Sequence, residues 1–328
     1  MWVRVLLFCI VLSCLHALAQ QEPSSAPAAN SPSAPSATNA QAPSNVAKPK
    51  LDLTPGKDGR LSQEQMRELT RVVAENYRAN YQRERDYTFV ERDVENTIDG
   101  SGKTKSTEIK SYDVLDIYGE QVRRLVAKDD KPLDAKEAAK EEEKVQKIID
   151  RHKNESEEER KRREERAAKD REDSRKFVGE VADTFSFSLL GTELVGDREV
   201  WVINGEPRPE SELHNKDSKF LSKFHGRLWI DKDDFQLAKM DIEAIDTASV
   251  GWVLARIHKG TRVIFERTRM TDEIWLPKQL NYKLDARVAL FKGYRMDAEQ
   301  SYREYKKFRT SSKIVRVGDL PEQEQKQK

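Results

Sequence analysis

The chain has 328 residues, with 59 Lys and Arg against 58 Asp and Glu. Charged residues make up 36% and apolar ones 37%, and the mean hydropathy is −0.83. This balance excludes a globally basic nucleic-acid binder, and no apolar run reaches the ~20 residues that a bilayer-spanning helix needs, which excludes a polytopic helical membrane protein.

Residues 1–19 read as an export signal. Arg4 supplies the positive start, Val5 to Leu18 the apolar stretch, and Ala17-Leu18-Ala19 the cleavage site. Cleavage there starts the mature chain at Gln20 and places it in the periplasm or outside the cell. A second reading is a lipobox, Val11-Leu12-Ser13-Cys14, which would leave a membrane-anchored lipoprotein held through Cys14. Cys9 and Cys14 are the only cysteines. A chain cleaved after Ala19 therefore has no thiol for a disulfide, a redox pair or a metal. Residues 20–56 form a Pro/Ser/Ala-rich tether that buries too little apolar surface to offset its ordering entropy, so it is expected to be disordered.

A β domain begins at 57–133. Ser62 and Gln65 form a capping box, and Met66, Leu69, Val72, Val73 and Tyr77 recur at helical spacing, which predicts an N-terminal helix ending near Tyr81. The period then changes to two. Tyr87 to Ile98, Thr104 to Tyr118 and Gln121 to Lys128 read as strands, joined by turns at Asp99-Gly100-Ser101-Gly102 and Gly119. Gly100-Ser101-Gly102-Lys103-Thr104 has the look of a phosphate-binding loop, but a strand follows it instead of a helix, so it reads as a hairpin turn.

Residues 134–176 form a charged insert in which acids and bases balance. Acid-before-base pairs such as Glu157–Lys161, Glu158–Arg162, Glu159–Arg163, Glu165–Lys169 and Glu172–Lys176 stand at i,i+4 and predict a solvated helix, each pair adding about 0.2–0.5 kcal/mol. Val145, Ile148 and Ile149 are its only apolar patch, too short for a coiled-coil seam. The insert is either an exposed arm or a helix that binds an envelope protein partner. With no net positive field it is not a nucleic-acid site. Asn154-Glu155-Ser156 fits a glycosylation sequon placed within the helix.

The remaining strands fill 177–312, and 313–328 is a polar tail. Phe185 to Leu190, Glu193 to Val195 and Glu199 to Ile203 read as strands with turns at Gly191 and Gly196-Asp197. Ala238, Met240, Ile242 and Ala244 alternate with charged residues. So do Leu280, Tyr282, Leu284, Ala286 and Val288, and then Tyr294, Met296 and Ala298. One dry and one wet face is the pattern of antiparallel sheet. The expected fold is mainly β (α+β): a large curved antiparallel sheet or unclosed β-barrel with an N-terminal helix and the long charged helical insert. Met240, Ile242, Leu280, Tyr282, Leu284 and Val288 are the candidate lining of an apolar ligand site. The alternation puts them on one face without saying whether that face is concave.

Trp201, Trp229, Trp252 and Trp275 lie in or beside strands, either packing the core or lining a cavity. His152, His214, His225 and His258 have no metal-ligand spacing, and no nucleophile motif is present, so no catalytic residue, cofactor or metal site is expected.

The C-terminal third carries a resemblance. Phe224-His225-Gly226-Arg227-Leu228-Trp229-Ile230-Asp231 runs into Leu237-Ala238-Lys239-Met240; then come Trp275-Leu276-Pro277, Leu280-Asn281-Tyr282 and Tyr302-Arg303-Glu304-Tyr305-Lys306-Lys307-Phe308. This order resembles the periplasmic LolA/LolB-type lipoprotein carriers, over 86–133 and 177–310. Arg124-Leu125-Val126-Ala127 and Lys131-Pro132-Leu133 resemble exported relatives of the same group. The resemblance implies an unclosed barrel with helix over its concave side, a cavity for a lipid or a lipoprotein acyl chain, and no reaction. The charged insert and the tether depart from the carriers, and no functional residue is carried over.

Overall fold

The computed structural model describes residues 51–209, 212–213, 216–250, 255–271, 274–288 and 292–307. The expected export signal, Cys14, most of the expected tether, His214, Trp252 and the expected polar tail lie outside these residues. In chain order the elements begin with β1 (Arg60–Leu61), α1 (Gln63–Glu84), β2 (Tyr87–Ile98), β3 (Thr104–Ile117), β4 (Glu120–Lys128) and β5 (Lys131–Pro132). Two helices follow, α2 (Ala135–Lys153) and α3 (Glu157–Thr184). Then come β6 (Phe185–Val195), β7 (Arg198–Pro207), α4 (Lys216–Leu221), β8 (Phe224–Asp231) and β9 (Leu237–Ala244). The described chain closes with β10 (Ala248–Val250), β11 (Ala255–Ile257), β12 (Arg262–Thr271), β13 (Ile274–Val288) and β14 (Lys292–Lys307).

All pairings are antiparallel, and the strands make one 14-stranded sheet in the order β1-β6-β7-β8-β9-β12-β13-β14-β2-β3-β4-β5, with β11 beside β13 and β10 beside β11. Among the described residues the ends of that order do not pair, so the sheet is open. The predicted mainly-β fold is the observed one. No helix among the described residues is long and apolar enough to cross a membrane.

The helix α1 starts where its capping box does. Ser62 Oγ accepts from the Gln65 amide, and Gln65 Oε1 accepts from the Ser62 amide at 2.7 Å. It runs one turn beyond the predicted end, to Glu84. Met66, Leu69, Val72 and Tyr77 bury against the sheet together with Phe187, Ile203, Ile230, Phe265 and Leu280. One apolar stripe on one helix thus covers several strands.

The turn between β3 and β4 needs left-handed backbone at two successive residues. Tyr118 and Gly119 have φ of 53° and 86°, the paired positive values of a tight type I′ hairpin. At Gly119 a side chain would also strike the Arg85 guanidinium, which lies 2.5 Å from where a Cβ would stand. Further along, Gly191 is not a turn as expected. It sits at a bulge inside one continuous β6, where the register shifts between Leu189 and Gly191.

A second bulge corrects the reading of β9. Trp229 pairs with Lys239, but Ile230 pairs with Leu237, so Ala238 is the extra residue. Ala238 therefore leaves the face of Met240 and Ala244. It packs on the other side of the sheet with Val200, Val202, Trp229 and Trp275, while Leu237 takes the inner place. Period-two counting fails at a bulge because one inserted residue flips every side chain beyond it.

The charged insert is two helices, and it is not free of the sheet. Asn154 closes α2 and Ser156 caps α3, so the sequon lies in the break between helices. The second helix continues past residue 176 to Thr184 and leads directly into β6. Because β4 and β5 end the sheet on one side and β6 lies near the other end, this segment connects the two edges of the open sheet. Of the expected i,i+4 pairs, Glu158–Arg162 and Glu172–Lys176 form at 2.6 and 2.7 Å. Arg163 instead meets Glu155, and Glu159 serves the Ser156 cap.

The helix α1 is fixed to the sheet at one point by a pair of hydrogen bonds. Asn80 Nδ2 donates to the Trp275 carbonyl at 2.6 Å, and Asn80 Oδ1 accepts from the Trp275 amide at 2.7 Å. Replacing Asn80 with alanine is expected to cost about 2–3 kcal/mol, because a buried amide loses its partner. Asn76→Ala, which removes one part-buried bond to the Asp234 carbonyl, is expected to cost about 1 kcal/mol. Urea unfolding of the two variants checks the ranking.

Candidate functional site

Register shows which residues share the inner face. Met240 pairs with Phe265, Phe265 with Leu280, and Leu280 with Gln300. In the next row Ile242 pairs with Val263, Val263 with Tyr282, and Tyr282 with Ala298. Leu284 faces Met296 and Ala286 faces Tyr294. The residues expected from two separate strands are therefore joined across β12, whose Val263 and Phe265 the sequence reading did not single out. Their signal was a short Val-x-Phe alternation that ends at the buried Arg267, where the β12–β13 register also shifts.

Five of the six expected residues belong to the apolar cluster that packs beneath α1. Met240, Leu280 and Leu284 are buried, at 5%, 4% and 2% exposure. Ile242 and Tyr282 are half-buried, as are the neighbouring Tyr294 and Met296. Val288 stands at the end of β13, paired with Lys292 and Ala255, and its side chain is outside the described residues. The strip thus runs from a closed interior beneath α1 to a half-open rim. A surface hollow of about 660 Å³ lies elsewhere, at the start of α1 between Leu51, Asp52, Gln65, Arg67 and Arg71.

Past Leu280 the same row turns polar. Gln300 pairs with Asp93 across β14 and β2. Gln300 Nε2 donates to Asp93 Oδ1 at 3.1 Å, and Arg123 donates to Asp93 at 2.6 Å and also to Glu91. The Arg123 guanidinium lies 4.0 Å over the Tyr112 ring. Two carboxyl groups here share one guanidinium. Burial, with Asp93 adding to it, holds the Glu91 carboxyl well above the usual range despite Arg123.

A second buried charge lies at the C-terminal end of α1. Arg267 is 1% exposed; it donates to Gln236 Oε1 at 3.1 Å and to the Trp275 carbonyl at 2.8 Å. Its guanidinium lies 4.8 Å from the Tyr77 ring centre, and Glu84 stands 3.8 Å away. Burial pushes the Glu84 carboxyl up to about 7, and the nearby Arg267 only partly opposes this. Among the described residues, no group of three or more His, Cys, Asp or Glu is placed to hold a metal ion.

On the outer face, Trp229 donates to Glu193 at 2.8 Å and is covered by Lys239 at 5.2 Å. Trp275 donates to Asp234 at 2.9 Å. Arg198 clamps the fully buried Asp231 through two bonds of 2.6 and 2.8 Å. These tryptophans pack the sheet. Among the described tryptophans, Trp201 lies on the inner side, 5.6 Å from Phe235.

No protein-family model matches the chain, and no curated protein matches it. Several solved structures are similar at low identity, three of them as follows. A putative outer membrane lipoprotein-sorting protein domain from Vibrio parahaemolyticus is 11% identical, covers 76% of this chain and 95% of its own, and has a TM-score of 0.32. A LolA superfamily protein from Nitrosomonas europaea is 11% identical, with coverage of 71% and 87% and a TM-score of 0.24. A DUF1329 family protein from Desulfovibrio piger is 8% identical, with coverage of 72% and 92% and a TM-score of 0.21. These superpositions are partial; the sheet's own register and burial are what bear on function.

The raised Glu84 carboxyl sets a pH dependence. Its pKa rises from 4.5 in the open chain to about 7 in the fold, so the folded state holds the proton more tightly. The associated stability is complete below about pH 4.5 and is lost as pH rises through about 7, on the order of 3 kcal/mol in all. Glu84→Gln is expected to flatten this slope. Urea midpoints for both proteins between pH 5 and 8 read it directly.

Proposed function

We propose that this is an exported, non-enzymatic binding protein of the cell envelope that holds an apolar chain on the inner face of an open antiparallel sheet. The observation that carries the reading is the continuous strip from Leu280 and Leu284 to the half-buried Ile242, Tyr282, Tyr294 and Met296. An alkyl chain lying along that rim gains about 25 cal/mol for each Å² of apolar surface removed from water. The ligand class, a lipid or a lipoprotein acyl chain, comes from the sequence resemblance to the LolA/LolB-type carriers. With residues 1–19 read as a cleaved export signal the protein works in the periplasm or outside the cell, and with the lipobox reading it is held on a membrane through Cys14.

A second reading has its own support. Met240, Leu280 and Leu284 are already packed beneath α1, so the interior near α1 is filled without a ligand. On that reading the sheet is the body of an envelope interaction module, and the insert at 134–176 meets a protein partner.

The two readings separate on one titration. Fluorescent fatty acid added to the purified protein should bind saturably. Tyr282→Ala with Met296→Ala should weaken it about tenfold, the equivalent of roughly 1.4 kcal/mol of lost contact. Absence of saturable binding in the native protein would leave only the interaction module.

A further inference from the structure

The outer face of the β3–β4 hairpin is covered by α2, and the contact has an unusual make-up. Its apolar part is small: Val145 and Ile149, with Ile148 beside them, sit on Leu115, Ile117 and Val122. The rest is charge. Lys128 meets Glu137, Arg124 meets Glu142 at 3.0 Å, and Arg151 and His152 meet Glu120 at 2.7 and 3.1 Å. These contacts advance in step, so the helix lies along β4 and against its direction. The matched lengths explain this: Glu120 to Lys128 spans about 26 Å at a strand's rise and Glu137 to His152 about 23 Å at a helix's rise.

Three further observations concern how firmly α2 is held. First, both members of the Lys128–Glu137 and Arg151–Glu120 pairs are more than two-fifths exposed, so salt screens them. Second, the Arg124 side chain, which reaches both Asp113 and Glu142, keeps a buried Nε without a partner. The dock therefore leaves a polar group unsatisfied that water would satisfy on release. Third, α2 carries its own helical support. Asp134 caps it at 2.8 Å, Lys147 pairs with Glu143 at 2.7 Å, and Gln146 bonds Asp150 at 2.8 Å. Breaks stand at both ends, after Pro132 and at 154–156. These bonds lie within the helix and its cap and do not involve the sheet.

The helix also shields backbone. The Leu125 amide, on the side of β4 facing the sheet's end, donates to Glu141 at 3.4 Å. An edge strand with bare amides invites pairing by another chain.

We infer that α2 is a releasable strap over a helix-docking surface, made of Leu115, Ile117 and Val122 with Arg124 and Lys128 beside them. The partner it fits is an amphipathic helix with an aliphatic pair one turn apart and an acidic flank, the chemistry that α2 itself presents. This surface lies on the outer face of the sheet and does not depend on the ligand reading above.

The test places a thiol under the strap. In a chain with Cys9→Ser and Cys14→Ser, Val122→Cys is labelled by a neutral thiol reagent, with Leu69→Cys on the buried face of α1 as the control. Raising NaCl from about 0.1 M to about 1 M shrinks the screening length from about 10 Å to about 3 Å. The Val122→Cys rate should rise about tenfold as the half-exposed pairs weaken, with no change in the control or in helical circular dichroism. A salt-independent rate, or a rise shared with the control, overturns the strap. A labelled peptide of residues 134–153 should then bind Val145→Asp/Ile149→Asp protein and not the native protein at low salt. No binding to the variant, or equal binding to both, overturns the docking surface.

Discussion

The structure turns on how a helix is held against a sheet that does not close. An open antiparallel sheet with one apolar face has to cover that face, and here most of the cover is α1. Its position is set where β13 loses its neighbour. The pairing of β13 with β14 begins at Gln279, so the amide and carbonyl of Trp275 have no strand on that side. The Asn80 side-chain amide takes the place of a neighbouring peptide, donating to one group and accepting from the other. Tyr305 Oη does the same for the Pro277 carbonyl at 2.6 Å. Arg267, brought inward on β12, fills the space beneath with Tyr77, Gln236 and Glu84 around it. A helix placed by apolar packing alone could slide; one that completes a strand's hydrogen bonds cannot without leaving them unmade.

Much of this was legible in the sequence, for identifiable reasons. The capping box of Ser62 and Gln65 and the run from Tyr87 to Ile98 are local signals, and the structure follows them closely. The alternation of Leu280, Tyr282 and Leu284 is a one-strand property, and these residues do share the inner face. What could not be read was anything set by a bulge or by a distant partner. Ala238 changed faces because of one extra residue opposite Trp229, and Gly191 looked like a turn because a glycine with positive φ serves a bulge equally well. Glu91, Asp93, Arg123 and Gln300 come from three strands far apart in sequence, and only the order β14-β2-β3-β4 gathers them. The charged insert misled most. Its few apolar residues were too sparse for a seam, yet Val145 and Ile149, one turn apart, suffice to dock a helix on a hairpin.

The two faces of the sheet divide the work. The inner face grades from an apolar strip beneath α1 to a buried ionic cluster on β2 and β4, so a molecule lying along it would meet hydrocarbon first and charge last. The outer face is closed near β7–β9 by Trp229 and its covering side chains and on β3–β4 by α2. The insert that provides α2 goes on as α3 to the start of β6 and joins the two ends of the sheet. The chain's near-equal count of acids and bases is thus partly a local matter, since many of the insert's charges pair with one another or with β4.

On the proposed function, the inner strip is where an apolar chain binds. Photo-crosslinking with a fatty acid carrying a diazirine near its methyl end, followed by peptide mapping, tests it most directly. Adducts are expected on the peptides that contain Ile242, Tyr282 and Met296. Adducts confined to α2, α3 or the outer-face tryptophans, or none above the level given by an unrelated protein, would contradict it.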